Sequence, residues 1–198
     1  MDTKKFIYKN LGAKGQLLEQ LDDISNIKIF KPKTKIVTQG SNIDSINILI
    51  SGLLVGYMYD SNGDMIVDCF CFKEGDIAVP PHDFTYPSQI TIEAVEESKI
   101  LQIPLSIVQT LLNDYIEARE IYDVKLMESL KIHNSVKNSM QYHLGKKTAG
   151  IDRLRWFVQT FPGLLDRVPR YYICTYFGIS YVHLSRLIKQ LKEESAVE

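Results

Sequence analysis

Apolar residues recur in short runs between Ile27 and about Ile103, and turn-forming residues separate these runs. The runs are Ile36-Val37, Ile46 to Ile50, Leu53 to Tyr59, Met65 to Phe72, Ile90 to Val95 and Ile100 to Ile103. Their spacing predicts an antiparallel β-barrel or jelly roll in the N-terminal part of the chain. Asp60-Ser61-Asn62-Gly63-Asp64 predicts a hairpin between two strands, because Asn-Gly tolerates the positive φ angles of such loops.

After Pro104 the spacing of apolar residues changes to that of helices. It predicts a short helix over Leu105 to Leu112 and a long one from Tyr115 to about Leu144, while Leu11 to Asp23 predicts a short helix before the strands. Two glycines flank a basic pair in Gly145 to Gly150, which predicts a hinge. We therefore expect an α+β protein with three parts: a β-barrel domain over residues 1–112, a long helix over 113–145 and a helical domain over 146–198.

The long helix carries a broad apolar stripe with near-heptad spacing, which lets a helix pair with a second copy of itself. The predicted dimer contacts are Tyr122, Leu126, Ser129, His133, Val136 and Met140. Ser129 and His133 interrupt the stripe, so we expect an imperfect seam. A helix that packs only on its own domain is the alternative.

Val168 to Lys192 has the pattern of a helix-turn-helix. If Arg170 begins the first helix, apolar residues occupy the positions that two crossing helices bury. These residues are Ile173, Phe177, Ile179, Leu184 and Leu187. Gly178 permits the left-handed backbone of a short turn, and Ser180 is the predicted N-cap of the second helix. An ordinary pair of packed amphipathic helices would show the same spacing.

The charge distribution favours a DNA-binding interpretation. The whole chain has a net charge of −1, yet Lys146 to Lys192 contains nine Lys and Arg residues against two Asp residues. Such a basic segment is typical of proteins that neutralise phosphates. The outward side chains of the second helix are Tyr181, Val182, His183, Ser185, Arg186 and Lys189. This mixture of donors, one ring and a guanidinium predicts a surface that contacts base edges of double-stranded DNA.

Composition narrows the other possibilities. Hydrophobic residues make up 45% of the 198 residues and charged residues 24%, as in soluble globular proteins. No apolar run has the length of a membrane span, and Met1 to Asn10 lacks a signal-peptide core. We therefore expect a cytoplasmic protein without a membrane partner. The chain has three cysteines, an odd number, and no export signal is recognisable. We therefore do not expect a disulfide framework.

The sequence does not predict a catalytic or metal site. Cys69 and Cys71 would share one face of a strand and could ligate a metal or sense oxidants, but buried thiols are the favoured interpretation. His82 is the single histidine of the barrel region, which argues against an enzyme of the cupin type. No Ser-His-Asp order or phosphate-binding glycine loop is recognisable. We identify no cofactor.

Four fragments, in this order along the chain, resemble the Crp/Fnr family of bacterial transcription regulators. They are Gln39-Gly40, Ile48-Leu49-Ile50-Ser51-Gly52, Lys73-Glu74-Gly75-Asp76-Ile77 and Leu184-Ser185-Arg186-Leu187-Ile188-Lys189. The resemblance implies a cyclic-nucleotide-binding-like barrel as sensor domain, a long dimerisation helix and a C-terminal helix-turn-helix. Because twelve residues follow Arg186, we expect no wing or a minimal one. A homodimer on a promoter operator and RNA polymerase as a further partner are also implied.

The resemblance places an effector pocket at Val79, Pro80, Ser88 and Gln89. In nucleotide-responsive relatives these places hold Gly-Glu and Arg-Ser or Arg-Thr, which contact the cyclic phosphate and the sugar. Pro80 has no amide donor, and no arginine is present to pair with a phosphate. We expect an unknown small-molecule effector other than cyclic AMP; a constitutive regulator is the alternative. No cysteine precedes Ile27, so we do not expect an iron-sulfur sensor.

Arg186 corresponds to the recognition-helix arginine of the family, which implies a contact with guanine O6 and N7. Tyr181, Val182 and Ser185 occupy neighbouring base-contacting positions, and Ser180 and His183 belong to the same predicted surface. Lys189, Arg170 and Tyr171 are predicted to contact phosphates. The rival interpretation is a small-molecule-binding sensory or protein-interaction module that does not bind DNA.

Overall fold

The computed structural model describes residues 2–78, 87–145 and 150–195. The helices in these ranges are Thr3–Leu11 (α1), Gly15–Ile24 (α2), Leu105–Asp114 (α3), Ile116–Gly145 (α4), Gly150–Thr160 (α5), Leu164–Arg167 (α6), Arg170–Phe177 (α7) and Tyr181–Ser195 (α8). The strands are Asn26–Phe30 (β1), Lys35–Val37 (β2), Ser45–Ser51 (β3), Leu54–Tyr59 (β4), Met65–Cys71 (β5), Thr91–Ala94 (β6) and Ser98–Pro104 (β7). This order confirms the predicted α+β class.

The predicted barrel takes the form of two sheets. The strand order is β1-β7-β3 in one and β2-β6-β4-β5 in the other. β7 is the central strand of the first sheet, where Leu101 lies between Ile27 of β1 and Ile48 of β3. The pairings of β1 and β3 with β7, and of β2 and β4 with β6, are antiparallel. Across the described residues, every strand lies between Asn26 and Pro104.

Side chains alternate along β3 and β7, which gives the first sheet two apolar faces. Leu49 and Ile100 pack in one cluster with Leu54 of the second sheet. Their neighbours Ile48 and Leu101 belong to a second cluster, which includes buried residues of α1, α2 and α3. The three helices therefore cover the face of the first sheet that does not contact the second sheet.

Two local signals in the sequence act as expected at the hairpin after β4. The Asp60 carboxylate accepts hydrogen bonds from the backbone N–H groups of Asn62, at 2.8 Å, and Asp64, at 2.9 Å. Gly63 has a φ of +84°, which a residue with a side chain rarely adopts. The predicted hairpin is therefore confirmed.

The chain divides into two compact units. The first comprises Met1–Met58 and Asp68–Ile132, and the second comprises Tyr59–Val67 and His133–Glu198. The division falls inside α4, so the long helix contributes to both units. The three-part division at residues 112 and 145 stays a prediction, and the hinge residues 146–149 lie outside the described ranges. No helix of the described residues is long and apolar enough to cross a membrane.

Aromatic side chains form the core of the helical part of the second unit. Phe157 of α5 is fully buried and lies 5.0 Å from Phe161 and 5.4 Å from Phe177 of α7, measured between ring centroids. Tyr176 joins the group at 5.8 Å from Phe157. Large rings contribute much buried area from few residues. This cluster supports α7 from the side opposite to its exposed residues.

Candidate nucleic-acid interface

The turn between α7 and α8 forms as the sequence predicts. α7 begins at Arg170 and ends before Gly178, whose φ is +62°. The N–H of Ile179 donates to the Cys174 carbonyl at 3.0 Å, which closes the helix end. Ser180 then caps α8, because its side-chain oxygen accepts the N–H of His183 at 3.2 Å.

The inward residues of the motif hold the two helices together. Ile173 and Leu184 are fully buried, and Phe177 and Leu187 are buried as well. Ile179 is half-buried in the turn. Each buried aliphatic side chain stabilises the unit by about 1.5–3 kcal/mol relative to leaving it exposed. The packing thereby fixes which residues of α8 face outward.

The predicted DNA-contacting residues lie on the outside of this motif. The exposed members of the set are Arg170, Tyr171, Ser180, Tyr181, Val182, His183, Arg186 and Lys189, and Ser185 is half-buried. On α8, Val182 and Arg186 are four residues apart, as are Tyr181 and Ser185, so they form two adjacent rows on one face. His183 lies at one side of this face, close to Gly150 of α5. A methyl group added to Gly150 would lie 3.2 Å from the His183 Nε2 atom.

Arg170 has partners that the sequence did not predict. Its Nη1 atom donates to the Tyr181 hydroxyl and to the Ser185 hydroxyl, both at 3.3 Å. Its guanidinium carbon lies 5.6 Å from the centroid of the Tyr181 ring, within the range of a cation–π interaction. A residue of the first motif helix therefore contacts two outward residues of the second.

Ion pairs modify the positive charge of this unit. Arg155 of α5 pairs with Asp152 at 2.5 Å and with Glu194 of α8 at 2.6 Å. The pair with Glu194 raises the pKa of Arg155 and lowers the pKa of Glu194. Lys189 lies 3.7 Å from Glu193, an exposed and weak contact. Arg186 forms no ion pair with the part of the chain that the structure describes, so its charge is available to a ligand.

The predicted effector pocket is described only in part. Val79 and Pro80 lie outside the described residues. Ser88 is buried, and its hydroxyl donates to the Ile90 carbonyl at 2.7 Å. Gln89 is exposed. Ser88 stands where nucleotide-responsive relatives have an arginine, and its hydroxyl already forms a hydrogen bond with the backbone.

A cavity of about 80 Å³ lies elsewhere in the first unit, between the N-terminal helices, the first sheet and the beginning of α4. Its lining is apolar apart from Lys125: Leu11, Leu17, Leu21, Ile46, Ile48, Ile77, Ile103, Val108, Leu111, Leu112, Ala118, Ile121 and Tyr122. The sequence did not predict it. Individual apolar positions were visible, but their convergence depends on how four helices pack on the sheet.

The predicted dimer contacts on α4 fall on its half-buried side. Tyr122, Leu126, Ser129 and Val136 are half-buried within the chain, and Tyr122 lines the cavity. The side chains of His133 and Met140 lie outside the described residues. Other large apolar residues of α4 are exposed: Ile116, Val124, Met127 and Ile132. The predicted dimer contacts stay a prediction, and these four residues add exposed apolar surface to the same helix.

The thiol of Cys71, on β5, lies in an environment that keeps it protonated. Cys71 is buried, and a hydrogen bond with Cys69 together with burial raises the pKa of its thiol. A thiol with a raised pKa stays protonated and is a poor nucleophile or metal ligand. Within the described ranges, no group of three or more His, Cys, Asp or Glu residues is placed to hold a metal ion.

Comparison with known structures defines the class of fold. FixK2 from Bradyrhizobium japonicum aligns with 87% of this chain and 86% of its own, at a TM-score of 0.71 and 16% identity. The c-di-GMP responsive global regulator CLP from Xanthomonas campestris aligns with 90% of this chain and 91% of its own, at a TM-score of 0.71 and 14% identity. A protein from Eubacterium rectale, described as a Crp/Fnr-family transcriptional regulator, aligns with 95% of this chain and 87% of its own, at a TM-score of 0.70 and 13% identity.

The chain therefore has the fold of the Crp/Fnr transcription regulators, which confirms the resemblance found in the sequence. No protein-family model matches the sequence, and no curated protein matches it either. At these identities the similarity establishes the fold, and individual residue roles must be argued from this chain.

Proposed function

We propose that the chain is a sequence-specific, DNA-binding transcription regulator that acts in the cytoplasm as a homodimer. One observation carries the proposal: a capped helix, α8, is held by a buried core so that Arg186 and the residues around it face outward. Arg186 contacts a guanine, and Lys189 and Tyr171 contact phosphates on either side. Two such helices enter successive major grooves about one helical turn apart.

The basic segment supplies the sequence-independent part of the affinity. Each neutralised phosphate releases counterions, so the logarithm of the binding constant falls with the logarithm of the salt concentration by about 0.9 per phosphate. The experiment is a selection of duplexes from a random pool with the full chain, followed by titrations of the selected duplex in increasing salt. We expect an inverted-repeat sequence and a steep salt dependence. Equal affinity for selected and unselected duplexes would contradict the proposal.

The second candidate function is small-molecule sensing without DNA binding. The apolar cavity favours it, since a cavity with an apolar surface can hold a small apolar molecule. In this case the full chain would bind a small apolar probe such as xenon in the cavity, while no duplex would be enriched. If a duplex is enriched and its affinity changes when the probe binds, both activities belong to one effector-controlled regulator.

A further inference from the structure

One face of α4 forms a wall of the apolar cavity in the first unit, opposite residues of α1 and α2. The lining residues that α4 contributes are Ala118, Ile121, Tyr122 and Lys125. The last three follow Ala118 by three, four and seven residues, which is the spacing of a single helix face. A molecule in the cavity would therefore contact about two turns of α4.

This cavity is separate from the predicted effector pocket. Ile48 and Ile103 line it, and both belong to the cluster on the helix-covered face of the first sheet. Ile90, which follows Ser88 and Gln89 directly, belongs instead to the cluster between the two sheets. The first sheet therefore lies between the cavity and the described part of the predicted pocket.

The lining selects a small and neutral ligand. Within the described residues, Lys125 is the one charged side chain of the lining, and its ammonium group already pairs with Glu128 at 2.9 Å. A carboxylate in the cavity would lose its hydration without gaining a free cation, which is costly. The volume of about 80 Å³ is roughly half that of an engineered apolar cavity that binds benzene or xenon. The ligand therefore has only a few non-hydrogen atoms.

Polar contacts attach the helix pair α1–α2 to its surroundings at two places. Lys9 pairs with Glu74, in the turn after β5, at 2.9 Å. The backbone N–H of Lys14, between α1 and α2, donates to the Glu117 carboxylate in the first turn of α4 at 3.2 Å. The second contact exists only while α4 keeps this position. An occupant of the cavity adds dispersion contacts to α4 in the same position, so it favours that position over others.

We propose that the cavity is a regulatory site for a small, neutral, apolar molecule, whose binding controls DNA affinity through the position of α4. The control of DNA affinity rests on the proposed function, whereas the site itself does not. α4 extends from the first unit into the second, which contains α8. A ligand that favours one position of α4 changes the affinity for DNA, and DNA changes the affinity for the ligand by the same factor.

Methyl NMR of the full chain locates the site, with xenon as the first probe. Xenon at increasing pressure should shift the methyl signals of Leu17, Ile48 and Leu111, which line the cavity. The signals of Leu54 and Ile92, between the two sheets, should stay unchanged. Nitrogen at the same pressures is the control. Shifts confined to residues between the sheets, or no shifts at all, would overturn the site.

Propane and propionate test the class of ligand, because they have the same number of carbon atoms and differ in charge. Propane should reproduce the methyl shifts seen with xenon, and propionate should not. Equal binding of propionate would contradict the assignment of a neutral ligand.

Ala118→Leu assigns the shifts to the cavity, since it places three further carbon atoms there. This variant should lose propane binding. Val124→Leu is the matched control, because Val124 is 54% exposed on the same helix; it should bind propane as the native chain does. Propane binding that survives in Ala118→Leu would overturn the site. If Ala118→Leu does not fold, the shifts of the native chain still decide.

The regulatory role is tested on the selected duplex. Its dissociation constant is measured with the native chain in buffer saturated with propane and in buffer saturated with nitrogen. We expect a change of about fivefold or more, the usual lower limit of allosteric coupling, and no change with Ala118→Leu. An unchanged dissociation constant with a filled cavity would overturn the regulatory role while the proposed function stands. If no duplex is selected, the proposed function and the regulatory role both fail, and the methyl shifts alone decide whether the site exists.

Discussion

Arg155 of α5 and Glu194 of α8 form an ion pair across the second unit, with 2.6 Å between Nη2 and the carboxylate. Both side chains are about two-fifths exposed, at 41% and 39%. The pair joins α5 to the far end of α8, the helix that carries Arg186. The end of α8 is therefore attached to its domain by charge, while its beginning is attached by the buried motif residues.

The ion pair makes stability dependent on pH. Because Arg155 stabilises the ionised carboxylate, the pKa of Glu194 in the folded chain is lower than its ordinary value of 4.5. The pair therefore stabilises the fold above that value, and the contribution is lost as the pH falls through the lowered pKa. We expect Glu194→Gln to lower the melting temperature at pH 7, with a difference from the native chain that narrows toward pH 3.5.

Glu193→Gln is the matched control for this experiment. Glu193 is the neighbouring residue, and its carboxylate lies 3.7 Å from Lys189 in a highly exposed pair. Such pairs contribute little to stability. Its melting temperature should follow that of the native chain at both pH values. A Glu194→Gln difference that stays constant across the pH range would show that the ion pair is not its source.

Arg186→Ala should cost roughly 1–3 kcal/mol of specific binding and relax the preference at one base pair of each half-site. The reason is the loss of two parallel hydrogen bonds to guanine. Arg186→Lys keeps the charge but not the paired donors, so it should retain affinity for unselected DNA while losing discrimination. Competition between duplexes that differ at single positions measures both effects. Intact discrimination in Arg186→Ala would remove Arg186 from the base contacts.

Lys189→Ala should act on affinity without changing sequence preference. A phosphate contact is independent of sequence, so its loss lowers the salt slope by about 0.9 for each phosphate no longer neutralised. The pair with Glu193 at 3.7 Å is weak enough to break on binding. Lys192→Ala, one turn further along α8, serves as the comparison. If Lys189→Ala leaves the slope unchanged, Lys189 is only a solvated residue.

The element pattern and the turn of the motif could be predicted from sequence because they depend on neighbouring residues. Gly178 and Ser180 act within their own turn, and the Asp60 hairpin closes over four residues. By contrast, α1 was missed: it buries Phe6 and Ile7 against the first sheet, and two buried residues that are adjacent in sequence give little helical periodicity. The sequence pattern of β1 was also hard to recognise, because Ile29, an apolar residue of this strand, points to solvent.

The details of the candidate site depend on distances that spacing does not encode. Arg170 reaches residues 11 and 15 positions ahead, which requires the particular crossing of α7 and α8. From the sequence alone, a positively charged side chain at the start of a motif helix is as compatible with a phosphate contact as with contacts to the second helix. On α4, the apolar stripe identified a face, but a stripe does not reveal whether that face packs on its own domain or on a second copy.

Ser180→Ala should destabilise α8 through the loss of its cap. The Ser180 hydroxyl satisfies the N–H of His183 at 3.2 Å, and removal of such caps costs about 1 kcal/mol. Ser180→Asp retains an acceptor and should restore the stability, with the carboxylate also favourable at a helix N-terminus. Chemical denaturation of the three chains measures the difference. Equal stability of Ser180→Ala and the native chain would show that this cap contributes nothing.

The cavity in the first unit can be tested by filling it. Ala118 of α4 lines the cavity of about 80 Å³, so Ala118→Leu places three further carbon atoms where space is available. We expect stabilisation of about 0.5–2 kcal/mol, as for other cavity-filling substitutions. Ala94 of β6 is fully buried in the cluster between the two sheets, so Ala94→Leu should instead destabilise by about 1–3 kcal/mol through overpacking.

If the apolar probe binds in the cavity, Ala118→Leu should also weaken its binding. A destabilised Ala118→Leu chain that still binds the probe would place the probe elsewhere and remove the observation that favours small-molecule sensing at this cavity.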